Sequence, residues 1–396
     1  MINRLYIHVP FCASKCGYCA FYSIPRPESE IIGAYLSKLE RDLEKASNSC
    51  GKIDSIFIGG GTPTYLSAGN LERLFSSVSS HFEISADAEI SIECNPETLT
   101  AGKAELIAEF ANRVSLGIQS FNPKFRKILG RQGSPESIGK AIRLLLNNGI
   151  GNIGCDLIYA IPGQSLSDWQ CELEKAASLP LKHISSYSLT IEEGTLLAEK
   201  MSNIEYRIPN DEIKHNTDTR HLTPESSPIQ PATDHGQLTT DNSVEMWNLA
   251  GAILKKHGFS RYEISNYSRR GFECRHNLEI WYGDKYLGFG PAASSFDGIK
   301  RWTNAGDLGK WLSGAQPEID SIPAEKRARE IFVMGLRTSQ GWNKIFFHRK
   351  TGFKSDIFSP ELAELREHSL IRETDEKIFC TKKGLLLWNE VAERLI

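Results

Sequence analysis

Charge of one sign is scarce in this chain, and that excludes a class of partner. Its 396 residues carry 46 Lys and Arg against 49 Asp and Glu, a net charge of −3. Nothing there makes a basic footprint for a phosphate backbone, so no nucleic acid partner is expected. Apolar runs of membrane-spanning length are missing as well. The start reads as a strand and not as a charged leader before an apolar stretch, so a soluble, cytoplasmic protein is expected. The run Gly59-Gly60-Gly61 lacks the spacing of a dinucleotide-binding turn and the lysine of a phosphate-binding loop. The nine cysteines are an odd number, which argues against a disulfide framework. What remains is an ordinary globular mixture, 40% hydrophobic and 24% charged, long enough for two or three domains.

Against that background three cysteines stand out. Cys12, Cys16 and Cys19 are spaced C-x3-C-x2-C, with no obvious fourth ligand. Thiolates are the preferred ligands of iron–sulfur clusters. A cubane has four irons, so three cysteines leave one iron open to an outside ligand. The competing reading is a closed zinc site, which needs a fourth ligand such as His8. But residues 5–9 read as a strand and Pro10-Phe11 then turns the chain, so His8 need not face the thiols. Cys50, Cys94, Cys155, Cys171, Cys274 and Cys380 are scattered and read as small buried hydrophobes.

Short apolar runs at 5–8, 55–58, 89–92, 114–116, 153–158 and 184–189 alternate with amphipathic stretches at 31–45, 66–79, 104–110, 137–147 and 166–177. Alternation of this length predicts parallel βαβ units, here an α/β partial (β/α)6 barrel over residues 1–208. In such a barrel reactive groups lie at the carboxyl ends of the strands. The cysteine loop follows the first strand, Gly59-Gly60-Gly61-Thr62-Pro63-Thr64 the second, Glu93-Cys94-Asn95-Pro96 the third and Gly117-Ile118-Gln119-Ser120 the fourth, while Asp156 lies in the fifth. A tight glycine run lets backbone approach a charged ligand. Glu93, at a strand end, is placed to hydrogen-bond ribose hydroxyls, and equally to be a surface acid.

Residues 209–243 are a polar Thr/Pro/Ser-rich insertion, whose His215, His221 and His235 read as solvated. Residues 244–300 read as a connecting region. Residues 301–396 read as a small α+β, winged-helix-like domain, with helices at 325–338, 360–368 and 382–395 and a hairpin at 369–372 and 377–381. The segment has no strong basic surplus, so its wing is not read as DNA-binding.

Taken in order, the cysteine loop, the GGGTPT run, Ser91-Ile92-Glu93, Gly117-Ile118-Gln119-Ser120-Phe121-Asn122 and Asp156-Leu157-Ile158-Tyr159 resemble the radical S-adenosylmethionine superfamily. Within it they resemble the oxygen-independent coproporphyrinogen III oxidase-like branch, whose carboxyl-terminal domain is similar to the stretch around Lys383-Gly384-Leu385-Leu386-Leu387. The resemblance implies that Cys12, Cys16 and Cys19 hold a 4Fe–4S cluster whose open iron binds S-adenosylmethionine. It implies that Gly60, Gly61 and Thr62 line the methionine end, that Glu93 binds ribose, and that Tyr6, Gln119, Arg131 and Asp156 contact the cofactor. Arg131 has a carboxylate to pair with. The implied chemistry is reductive cleavage of the sulfonium to a 5′-deoxyadenosyl radical, fed by an electron donor.

Two subfamilies then separate. The oxidases carry a fourth cysteine two positions after the third, and here that position is Phe21. The short start and Cys274-Arg275-His276-Asn277-Leu278-Glu279-Ile280-Trp281 resemble the HemW heme chaperones, although Ile280 replaces a tyrosine of their motif. That resemblance implies binding heme and delivering it to acceptor proteins, with His276 as candidate heme ligand between the barrel and the C-terminal domain. Trp247, Trp281 and Phe296 are candidate apolar walls. The alternatives are a coproporphyrinogen III oxidase and an iron–sulfur electron carrier. Whether cofactor cleavage makes the chain an enzyme is left open by the sequence; coproporphyrinogen oxidase activity is not expected. Anaerobic reconstitution should load about four irons per chain. A triple Cys→Ala variant of Cys12, Cys16 and Cys19 should lose that iron and the accompanying visible absorption; retention of both overturns the cluster assignment.

Overall fold

The computed structural model describes residues 1–205 and 240–396. Most of the 209–243 insertion, with its three histidines, falls outside the described residues; residues 240–243 open a helix.

Six parallel strands make the barrel: β1 (Ile2–Val9), β2 (Cys50–Gly60), β3 (Ile84–Cys94), β4 (Arg113–Gln119), β5 (Asn152–Tyr159) and β6 (His183–Ser188). Helices α1 (Ser29–Ser47), α2 (Ala68–His81), α3 (Ala101–Phe110), α4 (Pro123–Ile128), α5 (Glu136–Asn147) and α6 (Leu166–Ser178) cover the outside. The pattern of α1 shows why. Ile32, Tyr35, Leu36, Leu39 and Leu43 recur at three- and four-residue intervals and form its buried stripe. Side-chain caps start the others: Ser67 for α2, Thr100 for α3, Asn122 for α4 and a Ser165–Asp168 capping box for α6.

Strand alternation decides what faces inward. In β1, Leu5, Ile7 and Val9 are fully buried in the main apolar core, while Tyr6 and His8 project to the opposite face. In β4 the inward set is Arg113, Ser115, Gly117 and Gln119, all lining one interior cavity. Gln119 ends the strand at φ 68°, in the left-handed region. Just beyond it, Glu172 of α6 is buried and accepts the Ser120 hydroxyl and the N–H groups of Phe121 and Asn122 at 2.7–3.0 Å. That carboxylate fixes the loop leaving β4 to the outer helix layer.

The segment at 244–300 does more than connect. After α7 (Leu196–Glu205) and α8 (Thr240–Lys256), β7 (Asn266–Ser268) joins β6 antiparallel. Past α9 (Arg275–Trp281), β8 (Leu287–Phe289) joins β1 in parallel. The region therefore extends both edges of the barrel sheet. Strands of three residues are too short to display period-two alternation, which hid them in the sequence. Beyond them α10 (Leu308–Leu312) packs on α1, with Trp311 against Tyr35 at 5.5 Å between ring centroids. The expected wing gains a third strand, since Trp342–Asn343 pairs with Lys377–Cys380 beside Ile371–Glu373. Buried residues from Ile2 to Leu395 form one continuous apolar core. No helix among the described residues is long and apolar enough to cross a membrane.

Candidate functional site

The cysteine loop is held from several sides. Phe11–Cys12 pairs with Ile24–Pro25, and the Arg26 N–H donates to the Cys12 carbonyl at 2.9 Å. Gly17 donates to the Leu129 carbonyl at 3.0 Å and accepts from the Leu197 N–H of α7 at 2.7 Å. The Tyr22 hydroxyl accepts the Leu308 N–H at 2.7 Å, tying the loop to α10. Within this frame Cys12, Cys16 and Cys19 are unpaired thiols that line the barrel cavity, which measures about 900 Å3. Burial is the main cause pushing the Cys12 and Cys19 thiols up.

No three cysteine, histidine or acidic side chains among the described residues converge closely enough to hold a single metal ion. A zinc site demands such convergence; a cubane, with each thiolate on its own iron, does not. His8 is no fourth ligand either. Its Nδ1 lies 3.1 Å from the Tyr6 hydroxyl and its Nε2 3.0 Å from the Tyr22 carbonyl. The residues present thus fit a cluster and not a closed zinc site.

Around the thiols stand the strand ends. Gly60 has φ 104°, and a Cβ there would lie 2.5 Å from the His8 ring; one on Gly61 would lie 2.8 Å from the Val9 and Phe11 carbonyls. The glycines are therefore required first by the close approach of β1 and the cysteine loop. The Gly60 N–H donates to Glu93 Oε2 at 3.0 Å. Burial, and next Asp156, pushes the Glu93 carboxyl up to about 8. Asp156 is itself pushed up by burial and takes the Ser115 hydroxyl at 3.3 Å. Arg131 reaches the Gly117 carbonyl, Asn95 Oδ1 at 3.3 Å and Cys16 Sγ at 3.7 Å, with Glu97 at 4.0 Å.

The cavity gathers every expected cluster and cofactor residue except Tyr6. Tyr6 sits behind Phe57, which does line the cavity, at 6.3 Å between ring centroids. His276 lies apart from these. It is 2% exposed, lies outside the cavity lining, and its Nδ1 is 2.8 Å from Ser55 Oγ. Burial pushes this imidazole down to about 3, so the ring is neutral. It is a packed residue in the first turn of α9, hydrogen-bonded through Nδ1. Trp247, Trp281 and Phe296 do not line the cavity. Of the scattered cysteines, Cys171 is exposed and Cys50 half-buried, contrary to the expectation that all are buried.

Sequence reasoning missed Phe57, Arg113, Ser115, His183, Ser185 and Asn277, all of which line the cavity. Period-two counting back from Gln119 and forward through 183, 185 and 187 was the available signal.

Residues 6–174 match the radical SAM superfamily, and residues 322–387 match the HemN C-terminal domain. The heme chaperone HemW of Bacillus subtilis is 31% identical over 98% of each chain. That of Lactococcus lactis is 30% identical over 100% of this chain and 97% of its own. Coproporphyrinogen III oxidase (HemN) from Escherichia coli superposes with a TM-score of 0.80 at 21% identity, covering 100% of this chain and 90% of that one, a likeness of fold.

The raised Glu93 carboxyl has a pH signature. Below about pH 4.5 folded and unfolded chains both carry its proton, and nothing is lost. Between 4.5 and 8 only the folded chain keeps it, so stability falls as pH rises through that window. Glu93→Gln should therefore stabilise the ligand-free chain near pH 7, on the order of 2 kcal/mol, with no gain at pH 4.5. Thermal melts across that range check this; a gain independent of pH contradicts it.

Proposed function

This chain belongs to the HemW family of the radical S-adenosylmethionine superfamily, and we propose that it is a heme chaperone. In this reading it binds heme, a 4Fe–4S cluster and S-adenosylmethionine, and delivers heme to acceptor proteins. The observation that carries the reading is full-length similarity to HemW chaperones, with Phe21 at the position where the oxidases have a fourth cysteine. Phe21 is 69% exposed on the cluster loop and adds an apolar face there in place of a thiolate.

Cys12, Cys16 and Cys19 would hold the cluster, which when bound supplies an electron to a ligand on its open iron. The chain's own residues do the positioning. Gly60 presents its N–H to Glu93 and so orients that carboxyl at the strand end. Glu93 and Asp156, both buried, would offer acceptors to the cofactor, Glu93 to its ribose hydroxyls. Arg131 places a guanidinium beside Cys16 and the end of β4, suited to the carboxylate of the cofactor. An electron donor and a reducing, cytoplasmic setting suit these free thiols.

The Ser55 hydrogen bond takes Nδ1 alone, so heme ligation by His276 would use Nε2, and the alternative is a ring that only packs. In the packed conformation His276→Ala should cost about 1–3 kcal/mol of stability and leave the Soret band of the heme-loaded chain in place. A changed Soret band would instead put the iron on this imidazole. For function, anaerobically reconstituted chain should bind heme and release no carbon dioxide from coproporphyrinogen III. Turnover with stoichiometric 5′-deoxyadenosine reverses the assignment in favour of an oxidase, and absence of both heme binding and cofactor cleavage points to an electron carrier.

A further inference from the structure

Deep in the same cavity a guanidinium is buried without a counter-ion. Arg113, the first residue of β4, is 2% exposed. The other two buried arginines are ion-paired, Arg4 with Glu279 at 2.7 Å and Arg126 with Glu97. Arg113 has no ion pair among the described residues. Its Nη1 donates to Ser91 Oγ at 3.3 Å, and its Nε meets no acceptor. The acids that act on it from farther away have their own partners. Glu89 accepts the N–H groups of Arg275 and His276, both at 2.9 Å, where α9 begins. Asp156 takes Ser115, and Glu93 takes Gly60. The surrounding field of Cys274, Glu89, Tyr262 and Asp156 keeps the guanidinium charged against its burial, but none of these groups forms an ion pair with it, and its Nε is left without an acceptor, a position a ligand can complete.

A second donor stands beside it. His183, also 2% exposed, lines the cavity from β6. Its Nε2 lies 2.7 Å from the Tyr262 hydroxyl. That hydroxyl accepts the Cys274 N–H at 3.3 Å, so its own hydrogen is assigned to Nε2. Burial, and then Arg113, pushes this imidazole down, so the ring is neutral and its one proton sits on Nδ1, which has no partner. Gly154 of β5, in register with Ser115 on one side and His183 on the other, lets the imidazole pack close against the strand. A Cβ there would lie 3.3 Å from that Nδ1.

We propose that the deep end of the cavity binds a carboxylate, with Arg113 as its counter-ion and His183 as a second donor. The carboxylate belongs either to a free small acid or to an acidic arm of a larger ligand entering from the cluster side, such as a porphyrin propionate. The proposal does not rest on the heme reading, because a free acid satisfies it.

The test uses the full chain, anaerobically reconstituted. Sodium propionate should raise the thermal midpoint of the wild type saturably and leave Arg113→Met unmoved. The propionate response of Arg113→Met is read against its own ligand-free melt, because loss of the charge also removes its attraction to Glu89, Asp156 and Glu93. Heme and its dimethyl ester separate the two sources. For a porphyrin arm, esterification weakens binding at least tenfold in the wild type and not in Arg113→Met. For a free acid, heme and ester bind alike while propionate still protects the wild type. Failure of the wild type to bind heme, with propionate protection intact, sinks the chaperone reading and leaves this one standing. If propionate has no effect and heme and ester bind alike in the wild type, the proposal is overturned, whether or not Arg113→Met folds. An Arg113→Met that melts far below wild type, with no propionate response in either protein, assigns Arg113 to the fold and also overturns it.

Discussion

Glu93, Asp156, Arg113 and His183 line one interior cavity and are buried from bulk solvent, and each bears the mark of it. Both carboxyls are pushed up, the imidazole is pushed down, and the guanidinium stands without a pair. The same cause acts on the thiols of Cys12 and Cys19 at the other end. A packed barrel interior would fill these positions with branched apolar residues. Here the inward set of β4 runs Arg, Ser, Gly, Gln, and the barrel keeps a cavity instead of a core. Apolar burial sits outside, between strands and helices, and that outer layer bears the cost of a polar interior.

How much of this was legible follows from how local each signal is. The cysteine spacing, the glycine run and the six long strands are local patterns, and all six strands lie where the periodicity put them, five with longer ends and the sixth shifted by one residue. The interior residues are harder, because facing inward is a property of register. Tyr6 stands one ring behind the cavity although its strand was read correctly. The surroundings of His276 were hidden for a related reason. A short motif does not reveal which side of a seven-residue helix is enclosed, and the ring that reads as a ligand is held by Ser55, 221 positions earlier. Arg113 and His183 open their strands, where sequence reading tends to see loop. The added strands β7 and β8 carry three residues each, too few for any pattern.

The accessory region is not an independent appendage. Its residues share one apolar core with the barrel, and α10 reaches back over α1 to the cysteine loop through Leu308 and Tyr22. The loop is also fastened to α7, the helix that leads into the polar insertion, through Leu197 and Gly17. The cysteine loop is thus tied both to α7 and to the carboxyl-terminal region by a handful of hydrogen bonds.

The pairing of β1 with β8 bears on the order of events at the ribosome. The first strand to emerge completes its neighbours only when Leu287–Phe289 has been made, and Tyr22 finds Leu308 later still. Contacts so distant in sequence are slow to form. During synthesis the three thiols would therefore wait in an unfinished loop for most of the chain's length. Their protection in that interval has to come from the surroundings, through a reducing milieu or a delivery system that acts after release.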